Sequence, residues 1–76
     1  MALIMIIDDD EILRRTVRRF LAGNGHTVIE AEHGGSGIAL LGEHDPAIVI
    51  TDIYMPEKEG METIMEIRKL RPATRI

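Results

Sequence analysis

Two uninterrupted apolar runs, each giving way abruptly to aspartate, constrain this chain more than any other feature. Leu3 to Ile7 leads into Asp8-Asp9-Asp10-Glu11, and Ala47 to Ile50 leads into Thr51-Asp52. Neither run alternates polar with apolar residues, which is the pattern of strands covered by helices on both faces, and so of a parallel sheet. Pro46 before the second run and Pro56 after it bar a continuous helix through that segment. In open parallel sheets, ligands gather beyond the carboxyl ends of the strands. Asp8, Asp9 and Asp52 would stand there. Read singly, these aspartates have plainer roles: Asp9 or Asp10 capping a helix, and Asp52 opening a turn.

The segments between the runs read as helices and one further strand. From Asp10 to Ala22 the apolar residues Leu13, Val17, Phe20 and Leu21 recur at helical spacing, with Arg14, Arg15, Arg18 and Arg19 on the flanks or the far side. Asp10–Arg14 and Glu11–Arg15 are i,i+4 pairs, each worth roughly 0.2–0.5 kcal/mol. The arginines read as a solvated face, since no aromatic stacking partner or basic continuation accompanies them. Gly23-Asn24-Gly25 stops that helix. Thr27 to Ala31 is a short edge strand, interrupted by Glu30.

Glu32 to Gly35 reads as a turn, and a weak helix follows over Ser36 to Glu43. Gly37 and Gly42 each cost that helix about 1 kcal/mol relative to Ala. After Pro56 a polar loop leads to a helix over Met61 to Leu70, with Met61, Ile64, Met65 and Ile67 toward the sheet and Pro72 closing it. Ala73 to Ile76 begins a further element. Strand and helix thus alternate three times, which predicts an α/β fold with a parallel sheet and right-handed crossovers. His26, His33 and His44 fall in turns and are expected to face solvent.

The chain has 76 residues, enough for one small domain. Such a domain buries only about 60% of its unfolded surface. Hydrophobic residues make up 45% and charged residues 29%, a globular balance. Without cysteine, neither disulfides nor thiolate metal sites can reinforce it. The net charge of −4 argues against nucleic acid or an anionic membrane as the main partner. Met1 to Ile7 is too short to cross a membrane and lacks the basic flank of a signal peptide, so a soluble, cytoplasmic protein is expected.

Parallel strands joined by crossovers bring their carboxyl ends to one edge, so Asp8, Asp9 and Asp52 should converge. Converging carboxylates repel one another, and a hard divalent cation relieves that repulsion. Magnesium takes one or two carboxylates, keeps several waters and accepts phosphate oxygens.

These motifs together resemble the N-terminal part of a response-regulator receiver domain, the phospho-acceptor module of two-component signalling. The resemblance rests on Leu3-Ile4-Met5-Ile6-Ile7-Asp8-Asp9-Asp10, on Ile48-Val49-Ile50-Thr51-Asp52-Ile53-Tyr54-Met55-Pro56, and on Glu59-Gly60, where Asp-Gly is more usual. It covers essentially all of residues 1–76: three strand–helix units and the start of a fourth strand. It implies a flavodoxin-like parallel sheet in strand order 2-1-3, truncated after those three units. It also implies that Asp52 is the phosphorylated aspartate. Asp8, Asp9, Asp52 and the backbone carbonyl of Tyr54 would hold Mg, and a sensor histidine kinase would be the phosphodonor partner.

The Ser/Thr and Lys that the family uses at the phosphoryl group have no match here; Lys58 and Lys69 lie in the wrong place. Phosphotransfer is therefore expected to be impaired. Self-association is expected through an exposed third-strand edge and core. The alternative is a folded, self-associating half-domain with no signalling activity. Asp8-x-Asp10 also resembles the first motif of haloacid-dehalogenase-type phosphatases, but that reading leaves Asp52-x-x-Met-Pro unexplained. The chain is expected to be an acceptor and not an enzyme, with no membrane and no direct nucleic-acid partner.

Overall fold

The computed structural model describes residues 1–52 and 59–76. Its elements run β1 (Leu3–Ile7), α1 (Glu11–Gly23), β2 (Thr27–Ala31), α2 (Gly34–Leu40), β3 (Ile48–Thr51) and α3 (Glu59–Leu70). The three strands form one parallel sheet in the order β2-β1-β3, the expected 2-1-3 arrangement. The register is continuous: Leu3 to Ile7 pair with Thr27 to Ala31, and Ile4 to Ile7 pair with Ile48 to Thr51. Lying between two neighbours, β1 is apolar throughout, and Ile4 to Ile7 are all buried.

Alternation along the strands divides the core between the two faces. Met5, Ile7, Ala31 and Val49 share one face and pack with Leu41 and Ile67, beneath α2 and α3. Gly37 lets α2 approach β1: a Cβ there would lie 2.6 Å from the Cδ1 of Ile7 and 3.0 Å from its Cγ1. The glycine that weakens α2 in isolation is thus what seats it. His33, and not Ser36, begins this helix. Its Nδ1 accepts from the Ser36 N–H at 3.2 Å while the Ser36 hydroxyl faces the His33 N–H, a reciprocal capping box.

On the opposite face Ile6, Glu30 and Ile50 stand side by side in register, and α1 covers the β1–β2 half. The helical spacing misassigned part of α1. Its buried residue is Arg14, whereas Phe20 is 70% exposed and Leu13 49% exposed. Ile50 is 42% exposed on the same side, so the apolar flank of α1 and the outer strand lack a cover among the described residues. In α3 the stripe against the core is Thr63 and Ile67; Met61 and Met65 lie outward. The edge of β3 is not wholly open either. Arg75 pairs with Ile48 as a parallel bridge, its carbonyl accepting from the Val49 N–H at 2.7 Å and its own N–H donating to Ala47 at 3.0 Å. Arg71 adds a tie from the end of α3 to the Leu41 carbonyl at 2.6 Å. No helix among the described residues is long and apolar enough to cross a membrane.

The glycines separate two physical effects. Gly37→Ala gains helix propensity but overpacks a fully buried Ile7; overpacking costs about 1–3 kcal/mol against a gain near 1. A net loss of about 1 kcal/mol is expected in chemical denaturation. Gly23, with nothing within 4 Å of its would-be Cβ, should instead gain roughly 0.4–1 kcal/mol on replacement by Ala.

Candidate functional site

The site begins where β1 ends. The Asp8 N–H donates to the Ala31 carbonyl at 3.1 Å, one rung past the last strand pair, so Asp8 is still held by the sheet. Its Oδ1 accepts the Asp10 N–H at 2.9 Å, and its carbonyl accepts from Arg14 Nη1 at 2.8 Å. Asp10, in extended conformation, caps α1 by accepting the Leu13 N–H at 3.0 Å. The capping role therefore falls to Asp10. Asp8 is left buried at the strand end and Asp9 exposed beside it.

The third carboxylate arrives from β3. The Asp52 N–H donates to the Ile7 carbonyl at 3.2 Å, which places Asp52, half-buried, beside the end of β1. Asp8, Asp9 and Asp52 each bring a carboxylate oxygen to within 4.8 Å of the others. The convergence expected from parallel topology is present, across more than forty residues of chain. The fourth expected contributor, the backbone carbonyl of Tyr54, lies outside the described residues. The donors are all hard carboxylate oxygens without nitrogen or sulfur, a set suited to Mg²⁺ or Ca²⁺ and poorly suited to softer transition metals.

The spacing of apolar residues did not reveal the pairing behind this cluster. Arg14 does not reach Asp10, as i,i+4 spacing suggested. Its Nε pairs with Glu30 Oε1 at 2.8 Å, and Arg18 Nη1 pairs with Glu30 Oε2 at 2.8 Å. Burial pushes the Glu30 carboxyl up, but the bonds and charges of Arg14 and Arg18 outweigh it, and the group titrates below the ordinary carboxylate value. A carboxylate inside an otherwise apolar strand was the available signal, since a half-buried Glu needs a cation from a neighbouring element. The histidines stand apart from the cluster. His26 Nδ1 accepts the Ala2 N–H at 3.1 Å and His33 caps α2, so two of the three serve the backbone.

Comparison with known proteins gives a consistent picture. A family model described as "Response regulator receiver domain" matches residues 4–76. The chemotaxis protein CheY of Bacillus subtilis is 36% identical over 74 residues, which cover 96% of this chain and 62% of that protein. The response regulator TrrA of Thermotoga maritima, solved in complex with Mg²⁺-BeF, superposes with a TM-score of 0.83 at 32% identity, covering 91% of this chain and 60% of that one. TrrA has also been solved in complex with the histidine kinase ThkA, where the match has a TM-score of 0.87 at 30% identity and covers 97% and 64%. A response regulator of Burkholderia pseudomallei, with a phosphorylated aspartic acid, a calcium ion and citrate, gives a TM-score of 0.93 at 25% identity over 100% of this chain and 45% of that one.

The Glu30 pairing has a measurable sign. A native pKa below the unfolded value stabilises the fold above the ordinary value of 4.5, and that contribution is lost as pH falls through the lowered native pKa. Denaturation midpoints followed down through that range should fall less steeply for Glu30→Gln than for the parent chain.

Proposed function

The chain belongs to the response-regulator receiver family, and from that membership we propose that Asp52 accepts a phosphoryl group from a sensor histidine kinase. The observation that carries the proposal is the meeting of Asp8, Asp9 and Asp52 at the carboxyl ends of neighbouring parallel strands. An Asp52 carboxylate oxygen attacks the phosphorus of a phosphohistidine. A P–O bond forms as the P–N bond breaks, the imidazole nitrogen leaves with the electron pair, and Asp52 becomes an acyl phosphate. Asp8, Asp9 and Asp52 would hold Mg²⁺, joined by the Tyr54 carbonyl. The ion supplies neutralisation of the negative charge gathered on the phosphoryl oxygens and the carboxylates.

The work of the chain's own residues is positional. Asp8 is fixed through its N–H, its carbonyl and one carboxylate oxygen. Asp52 is fixed to the end of β1 by its own N–H. This is an acceptor that is consumed once and reset, and not an enzyme acting on a free substrate. The complex of TrrA with ThkA and the phosphorylated aspartic acid of the B. pseudomallei regulator support the kinase and the phosphoryl chemistry by relationship.

Incubation with acetyl phosphate and Mg²⁺, followed by intact mass measurement, tests the reading. Slow labelling should appear in the parent chain, vanish in Asp52→Asn and fall at least tenfold in Asp8→Asn or on chelation of the metal. Labelling that persists in Asp52→Asn would overturn it.

A second property is favoured by the exposed apolar residues on both faces: Leu13, Phe20 and Ile50 on one, Met61 and Met65 on the other. Faces of this kind associate in water, and we propose that copies of the chain pair through them. Sedimentation should show dimers that dissociate on dilution, and Phe20→Glu or Ile50→Glu should shift the chain to monomer. A monomer at all concentrations would rule the pairing out.

A further inference from the structure

Outside the three carboxylates, the most constrained polar group near the site is Arg14. Its side chain is 7% exposed, its Nε is bound to Glu30, and its Nη1 reaches the carbonyl of Asp8 at 2.8 Å. A buried guanidinium normally seeks a carboxylate, and this one lies at the back of a cluster of three. It takes its carboxylate from β2 instead and gives Asp8 a bond only through the peptide oxygen. We infer that Arg14 is a positioning residue for the cation site: anchored by Glu30, it fixes the peptide of Asp8, and with it the direction of the Asp8 carboxylate, without neutralising that carboxylate.

The geometry supports each part. Asp8 is the first residue past β1, where the strand ladder no longer sets the backbone on both sides. Its N–H is held by Ala31 and its carbonyl by Arg14, so the peptide planes before and after its Cα are both fixed. With those planes fixed, Oδ1 meets the Asp10 N–H at 2.9 Å, and the Asp8 carboxylate brings an oxygen to within 4.8 Å of those of Asp9 and Asp52. Glu30 is itself braced by Arg18, so loss of Arg14 does not leave the β2 carboxylate without a cation. The sheet register places Glu30 opposite Ile6, two residues before Asp8. The anchor and the site thus lie on paired neighbouring strands of one sheet.

The inference rests on the reading of Asp8, Asp9 and Asp52 as the Mg²⁺ site, and it makes a prediction whose direction is informative. Were Arg14 only a positive charge near the cluster, removing it would strengthen Mg²⁺ binding. Were it only a support for the fold, Mg²⁺ affinity of the folded chain would not change. Positioning predicts weaker binding. Calorimetric titration with MgCl₂ should show at least a tenfold higher Kd for Arg14→Met, and a two- to fivefold higher Kd for Glu30→Gln, which keeps an acceptor for Nε but loosens the anchor. Gly23→Ala, at the far end of α1 with nothing within 4 Å of the added Cβ, should leave Kd unaltered.

A metal-free measurement separates failure of this inference from failure of the site itself. Amide exchange of Asp10, whose N–H is held by Asp8 Oδ1, should quicken at least tenfold in Arg14→Met relative to amides of α3. If the parent chain binds no Mg²⁺, or binds it equally well as Asp52→Asn, the site reading fails and the affinity part of the inference falls with it. Mg²⁺ affinity that is unchanged or tighter in both variants, or Asp10 exchange that does not respond, would overturn the positioning role. Should Arg14→Met not fold, Glu30→Gln carries both measurements.

Discussion

The Asp52 N–H bonded to the Ile7 carbonyl at 3.2 Å is the rung that follows the last register pair of β1 and β3, Ile7 with Thr51. It sets the height at which the two chains leave the sheet, and Asp8 and Asp52 emerge there side by side. Side-chain direction in a strand has a period of two, so a slip of one residue would turn Val49 out of the core and replace Asp52 at the edge. The slip is opposed from below, because Val49 is packed with Met5, Ile7, Leu41 and Ile67. Core packing and site geometry are therefore one constraint. The residues that bury Val49 are also those that deliver the Asp52 carboxylate.

That coupling explains why so much of the site could be read from the sequence. Unbroken apolar runs identify strands buried on both faces, strand–helix alternation makes them parallel, and parallel strands share an edge for their carboxyl ends. Asp8, Asp9 and Asp52 follow from those three steps, and the observed strand order agrees. The failures lie where the decisive partner is remote. Arg14 looked like a flanking residue because helical spacing counts apolar side chains and cannot see a carboxylate sixteen positions away on another strand. On spacing alone the broad apolar arc of α3 points Met61 and Met65 toward the sheet as well, yet only its Thr63–Ile67 side meets the core and α2. The start of α2 was misplaced because a histidine cap paired with serine is an unusual form of a reciprocal cap.

The distribution of charge in the structure has a consistent logic. Three carboxylates face the open end of the sheet, while the nearest buried cation is committed to Glu30 on the far side of Asp8. A chain meant only to be stable would let that guanidinium neutralise the cluster. Here the negative potential is kept at the strand ends, where it favours a divalent ion. The cost is mutual repulsion among the carboxylates of Asp8, Asp9 and Asp52, which a bound cation would lessen.

The sheet order also has a consequence in chain entropy. β1 pairs with β2 through α1, a short and largely local closure, whereas Ile4 meets Ile48 only after about 40 further residues have been gathered in. Asp8 and Asp9 therefore need only the first strand–helix–strand unit to be placed, the shorter of the two closures. Asp52 can join them only when β3 docks, and that step carries the repulsion of a third carboxylate along with the gain of burying Val49. The complete cluster thus depends on the longer of the two closures. An ion bound there would engage carboxylates from both β1 and β3, and so would act as a latch on that long closure.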